Sequence, residues 1–185
     1  PRARPCADPR PPARSAPSWP GRPPARAHAV WRRALLLVAV IDRTWGAVGS
    51  SLWHLARNPQ DLQRLAGDPG LLPAAMEEFL RAYAPVTMAR LVAKDFDFNG
   101  CPMKEGDWLL LPFPAGNRDP DEFPDADQVQ IDRVENRHAA FGLGIHRCLG
   151  SNLARMEFRV PLEGWVRRYP DFGLERTVEM LDALK

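Results

Sequence analysis

A mainly α-helical fold with a small β component is predicted by three observations. Apolar side chains recur at helical spacing between residues 30 and 57. Two further helical patterns begin at Pro73 and just after Cys148, and a short alternating stretch, Asp95-Phe96-Asp97-Phe98, runs into Asn99-Gly100. The 185 residues are enough for one ordinary domain with a real core, the net charge is only +2, and the apolar fraction is that of a globular protein.

Taken in order, residues 1–29 are rich in proline, arginine, alanine and serine and have almost no apolar periodicity, so they are expected to be a disordered extension that buries no core. Their basic charge suits an anion. They lack interleaved aromatics apart from Trp19, and no nucleic-acid partner is expected. Residues 30–57 read as one long helix with Trp45, Val48, Leu52 and Leu55 as its apolar stripe, and Asn58-Pro59 opens a second helix. Pro73 opens a third, in which Glu78 and Arg81 share one face. On its own such a pair is a solvated surface ion pair. The alternating stretch at residues 95–98 turns at Asn99-Gly100 and resumes from Trp108 to Phe113 as a β-ribbon. After Cys148, a helix with Leu149, Leu153, Met156 and Val160 as its buried stripe is interrupted by Pro161 and weakened by Gly164. The apolar run at residues 34–41 is too short to cross a membrane. Cys6, Cys101 and Cys148 stand far apart, which indicates neither a zinc site nor a disulfide framework.

Chemistry concentrates in Phe141-Gly142-Leu143-Gly144-Ile145-His146-Arg147-Cys148-Leu149-Gly150. Two glycines permit a tight loop, and a helix start stabilises a thiolate at Cys148. This decapeptide resembles the haem-binding signature of the cytochrome P-450 superfamily, Phe-Gly-x-Gly-x-His-x-Cys-x-Gly, at every fixed position. The resemblance implies that Cys148 is the axial ligand and only metal ligand of haem b (iron protoporphyrin IX), in a cofactor site with Arg90, Phe141, Gly142, His146 and Gly150. Arg90 and His146 would bind the propionates. Glu78-x-x-Arg81 resembles the family's Glu-x-x-Arg helix and Arg133 the third member of its structural network, while residues 117–124 resemble the loop before the meander. Residues 38–44 resemble the oxygen-activation segment, Ala-Gly-x-Asp-Thr-Thr, with Asp42 and Thr44 as the catalytic pair. That pair is impaired, because Val40 replaces the glycine and Arg43 the threonine.

The resemblance covers residues 30–172 and implies the C-terminal portion of the P-450 fold: long central helix, Glu-x-x-Arg helix, β-ribbon, meander, Cys loop and following helix. Residues 30–185 are thus expected to be a partial domain of the soluble, bacterial, cytoplasmic type. Its activity would be that of a monooxygenase, an oxidoreductase using O₂, a small organic substrate and electrons from a ferredoxin or flavin reductase, with no membrane partner. Val86, Thr87 and residues 40–44 would line the substrate side. The alternative is a truncated, non-catalytic remnant, a weak haem binder without turnover.

Overall fold

The computed structural model describes residues 25–174, except the side chains of residues 25–29, 32 and 35–41. The greater part of the Pro/Arg-rich stretch, residues 1–24, lies outside the described residues. The elements are α1 (Ala25–Arg57), α2 (Pro59–Gly67), α3 (Leu72–Ala82), β1 (Thr87–Leu91), β2 (Phe96–Phe98), β3 (Cys101–Met103), β4 (Trp108–Pro112), α4 (Phe113–Gly116) and α5 (Ser151–Arg168). The first helix therefore starts at Ala25, five residues before Val30. The chain divides into two compact units, residues 1–34 with 87–112 and residues 35–86 with 113–185.

In the first unit, Asn99 and Gly100, both with positive φ, close the β2–β3 hairpin, and the Gly100 N–H donates to Asp97 Oδ1 at 2.8 Å. The expected single ribbon is corrected here. β4 does not pair with β2; it pairs antiparallel with β1, with Arg90 opposite Leu109. A second turn ends β3, with the Asp107 N–H donating to the Lys104 carbonyl and Gly106 at φ 86°, and this frees the following strand for a partner distant in sequence. Cys101 is disulfide-bonded, a bridge that the wide cysteine spacing did not indicate. Sequence distance is a weak guide here, because loop-closure entropy grows only logarithmically with length.

The second unit holds the core. Leu55, Leu62, Phe79, Ile131, Phe158 and Leu162 are each at most 1 % exposed. Burying such a side chain contributes about 1.5–3 kcal/mol. Pro59 and Pro73 occupy first-turn positions, where the missing N–H costs nothing. Buried His54 ties three segments together: Tyr83 donates its hydroxyl to Nδ1 (2.8 Å), Nε2 donates to Asp61 (2.9 Å), and Asn58 caps the His54 carbonyl (2.8 Å).

Two expected stripes are corrected. On α1, Val48 and Leu55 are buried and Leu52 is half-buried, but Trp45 is 72 % exposed. On α5, the core-facing residues are Phe158, Leu162 and Val166, whereas Leu153, Met156 and Val160 are exposed and Leu149, also exposed, lies before the helix begins. Residues 149–166 carry apolar side chains on two faces, and only one of these meets the helices present. Pro161 does not interrupt the helix, which runs unbroken from Ser151 to Arg168 with Pro161 exposed. An interior proline costs about 3 kcal/mol, and the buried side chains on either side offset it.

Candidate functional site

The loop carrying Cys148 is folded by its own sequence. Gly142 and Gly144 have φ of 71° and 62°, in the region that side-chain-bearing residues avoid. A Cβ on Gly142 would lie 3.4 Å from the His146 carbonyl oxygen and 3.8 Å from the Phe113 ring, so this glycine also admits the loop's internal packing. The Cys148 N–H donates to the Phe141 carbonyl at 2.8 Å and closes the loop. Cys148 is a free, exposed thiol three residues before α5 begins, and His146 and Arg147 are exposed beside it. A Cβ on Gly150 would stand 4.0 Å from its Sγ.

The surroundings of that thiol fit a flat apolar group. Leu143 (67 %), Ile145 (96 %) and Leu149 (101 %) point outward beside a soft donor atom, an arrangement that is costly in water and is relieved by a large apolar ligand held through sulfur. Among the described residues, no cluster of three or more His, Cys, Asp or Glu side chains could hold a metal ion, so the single thiol is the relevant donor.

Behind the loop lies a buried ionic network. Arg81 and Glu78 are both 0 % exposed. Arg81 Nε and Nη2 donate to the two Glu78 oxygens at 2.8 Å each, and the remaining Arg81 N–H groups reach the carbonyls of Asn117 (2.7 Å), Ala126 (2.8 Å) and Gln128 (2.9 Å). Glu78 also accepts from Arg133 Nε (3.0 Å), Asn136 (3.0 Å) and the Gln130 N–H (2.8 Å). Burial alone would raise the Glu78 carboxyl; these donors outweigh it and hold it below its ordinary range. The structure thus brings Glu78, Arg81 and Arg133 together, buried rather than solvated.

Sequence reasoning missed a second network one residue away. Glu77 accepts from Arg155 Nε (2.6 Å) and Nη2 (2.8 Å) and from His138 Nε2 (3.0 Å). His138 Nδ1 accepts the Ala140 N–H at 3.2 Å, which leaves Nε2 as the protonated nitrogen. The Arg155 guanidinium carbon lies 4.6 Å over the Phe141 ring. The available signal was the doubled carboxylate Glu77-Glu78, since neighbours on a helix point about 100° apart and serve different partners. Although burial would raise it, the Arg155 and His138 donors lower the Glu77 pKa from 4.5 to about 2. A folded pKa below the unfolded one stabilises the fold above pH 4.5, and that contribution is lost as pH falls from 4.5 towards 2. The linkage amounts to about 3 kcal/mol before solvent screening reduces it. We expect Glu77→Gln to flatten the acid limb of stability against pH in urea titrations between pH 5 and 3; an unchanged acid limb would count against this pairing.

The remaining predicted residues lie elsewhere. Asp42, Arg43 and Thr44 follow one another on α1, while the Val40 side chain lies outside the described residues. Arg43 Nε stands 3.8 Å from Asp42 and its Nη1 donates to the Pro85 carbonyl at 3.5 Å; Thr44 Oγ1 donates to Glu157 on α5 at 3.4 Å. Arg90 belongs to the other unit, on β1, where its Nη1 donates to the neighbouring Ala89 carbonyl.

Comparison with known proteins agrees with this geometry. The chain is 41 % identical over 141 residues to the probable cytochrome P450 127A1 of Sinorhizobium fredii, covering 76 % of this chain and 34 % of that protein. It is 38 % identical over 146 residues to the steroid C26-monooxygenase of Mycolicibacterium smegmatis, covering 78 % and 36 %. The crystal structure of Bacillus megaterium CYP109E1 with corticosterone superposes at a TM-score of 0.79 with 32 % identity, covering 86 % of this chain and 43 % of that one. This chain therefore spans about a third of the length of the curated relatives it matches. The sequence model described as Cytochrome P450 matches residues 47–175, from just beyond Thr44 through the Cys148 loop and α5, and on that match the chain belongs to the cytochrome P450 family.

Proposed function

We propose that this chain forms the thiolate side of a haem-binding monooxygenase, with Cys148 Sγ as the axial ligand. The observation that carries the reading is the free, exposed Cys148 thiol on a loop shaped by two positive-φ glycines and flanked by outward apolar side chains. When bound, haem b supplies the activation of O₂, by which one oxygen atom enters a small organic substrate and the other leaves as water at the expense of two electrons and two protons. Leu143, Ile145 and Leu149 offer the apolar surface beside the thiol. His146, exposed on the loop, is a candidate propionate donor. Arg147 and Arg137, exposed near the loop, suit an acidic electron donor such as a ferredoxin or flavin reductase. Among the described residues no helix is long and apolar enough to cross a membrane.

A second reading, haem binding without productive turnover, is favoured by the α1 geometry. Proton delivery needs a hydroxyl beside a carboxylate. Next to Asp42 stands a guanidinium with no acceptor atom, and the Thr44 hydroxyl, two residues on, is engaged by Glu157. Arg43→Thr in the haem-loaded protein should raise the product formed per reductant consumed about tenfold or more, the scale of a positioned proton donor. An unchanged ratio would remove Arg43 from the explanation.

The test of the leading reading is the absorbance difference spectrum of the haem-loaded chain, reduced with dithionite, with and without carbon monoxide. A red-shifted Soret band of the thiolate type is expected. Only the band of a neutral or histidine ligand would refute it.

A further inference from the structure

Phe141 is where two parts of the site meet. Its carbonyl accepts the Cys148 N–H at 2.8 Å, and its ring carries the Arg155 guanidinium 4.6 Å from the centroid. Arg155 is not free to choose that position, because the Glu77 carboxylate holds it through two parallel hydrogen bonds of 2.6 and 2.8 Å, which fix the plane as well as the place of the guanidinium. The segment before Phe141 is held as well. His138 bridges Glu77 and the Ala140 N–H, and the Ala139 N–H donates to Asn117 Oδ1 at 2.7 Å. Gly142, just after Phe141, donates its N–H to the Ala139 carbonyl at 2.8 Å.

We infer that Glu77 is a positioning residue for the metal-ligating loop: through the Arg155 guanidinium over the Phe141 ring, and through His138 on the preceding segment, it fixes the Phe141 carbonyl that orients Cys148. This rests on the haem-thiolate reading above. Glu77 acts at a distance, since its partners are Arg155 and His138 and neither is the ligand. A glutamine at this position keeps the shape and one oxygen but turns an N–H₂ group towards a guanidinium that has no acceptor, so the plane is released. The loop then keeps its sequence and its glycines but loses the lateral restraint on Phe141.

The experiment follows the reduced, carbon monoxide-bound spectrum of the haem-loaded chain over time for the unmodified protein, Glu77→Gln, Glu77→Asp and Leu62→Ala. Leu62 is buried in the core and makes none of the hydrogen bonds of Glu77, Arg155 or His138, so its truncation destabilises the fold without removing a bond of the clamp. Conversion from the thiolate band to the neutral-ligand band should be about tenfold faster in Glu77→Gln, the effect of losing a hydrogen bond between charged groups. It should return close to the unmodified rate in Glu77→Asp and stay there in Leu62→Ala. Equal rates in Glu77→Gln and the unmodified chain would overturn the inference, as would equally fast conversion in Leu62→Ala, which would make the effect one of general stability. Should Glu77→Gln not fold, Arg155→Lys retains the charge and removes the planar fork, and it is expected to convert as fast; a slow Arg155→Lys overturns the inference too. Absence of a thiolate band in the unmodified chain would reject the haem-thiolate reading itself, and the inference would fall with it.

Discussion

Arg81→Ala is expected to abolish cooperative unfolding of this chain or to lower its stability by about 3–5 kcal/mol, the range measured when one partner of a buried ion pair is removed. The side chain has no exposure, and its loss would take the close donor from the carbonyls of Asn117, Ala126 and Gln128 and leave Glu78 with Arg133 as its one cation. The Asn117 and Ala126 carbonyls would lose their donor and Gln128 would keep only the 3.5 Å contact from Arg133 Nη2, at a cost of about 1–3 kcal/mol per stranded carbonyl where water cannot enter. A domain has only about 5–15 kcal/mol in total. Arg81→Lys should recover little of the loss, because an ammonium offers three donors from one point whereas the site uses a planar fork in three directions. Urea unfolding followed by far-ultraviolet circular dichroism decides the matter, and a loss below about 1 kcal/mol would mean that the network is ornamental to folding.

Cys148→Ser should have the opposite profile, a complete loss of the thiolate band with the fold intact. The side chain is exposed, and the hydrogen bond that closes the loop uses the backbone N–H of residue 148, which serine retains. Serine therefore preserves the shape and removes the soft, readily ionised donor. Circular dichroism and the urea midpoint should match the unmodified chain while the carbon monoxide spectrum changes class. A thiolate band surviving in Cys148→Ser would transfer the ligand role to another cysteine and refute the assignment.

The parts of this fold that were legible in the sequence are those governed by local rules. Pro59, Pro73 and Asn99-Gly100 each constrain the backbone within a turn of themselves, and the structure uses all of them as expected. Gly142 and Gly144 have the positive φ that a tight loop needs. The Glu78–Arg81–Arg133 association was legible only through the family resemblance, since spacing alone describes a surface pair. What escaped depended on which surfaces meet. β4 found β1 rather than β2 because pairing is decided across the sheet and not along the chain. The buried face of α5 was misassigned because Leu149, Leu153, Met156 and Val160 are as apolar as Phe158, Leu162 and Val166; periodicity identifies a stripe but cannot say which stripe has a partner. The Glu77–Arg155 clamp joins residues 78 apart, and the doubled carboxylate that hinted at it says nothing of which cation it meets.

The doubled carboxylate of α3 sets the phase of that helix. Glu77 and Glu78 are successive teeth on one shaft, and each engages a different arginine on a different element, Arg155 on α5 and Arg133 in the irregular segment before the Cys148 loop. A rotation of α3 by one residue would present each carboxylate to the wrong cation and break both engagements at once, so the helix has a single angular setting. Phe79 and Met76 then enter the core at that angle and no other. An insertion or deletion in the turn at residues 68–71 would have to be absorbed before Leu72, because beyond it the angular origin of the cysteine loop is already set.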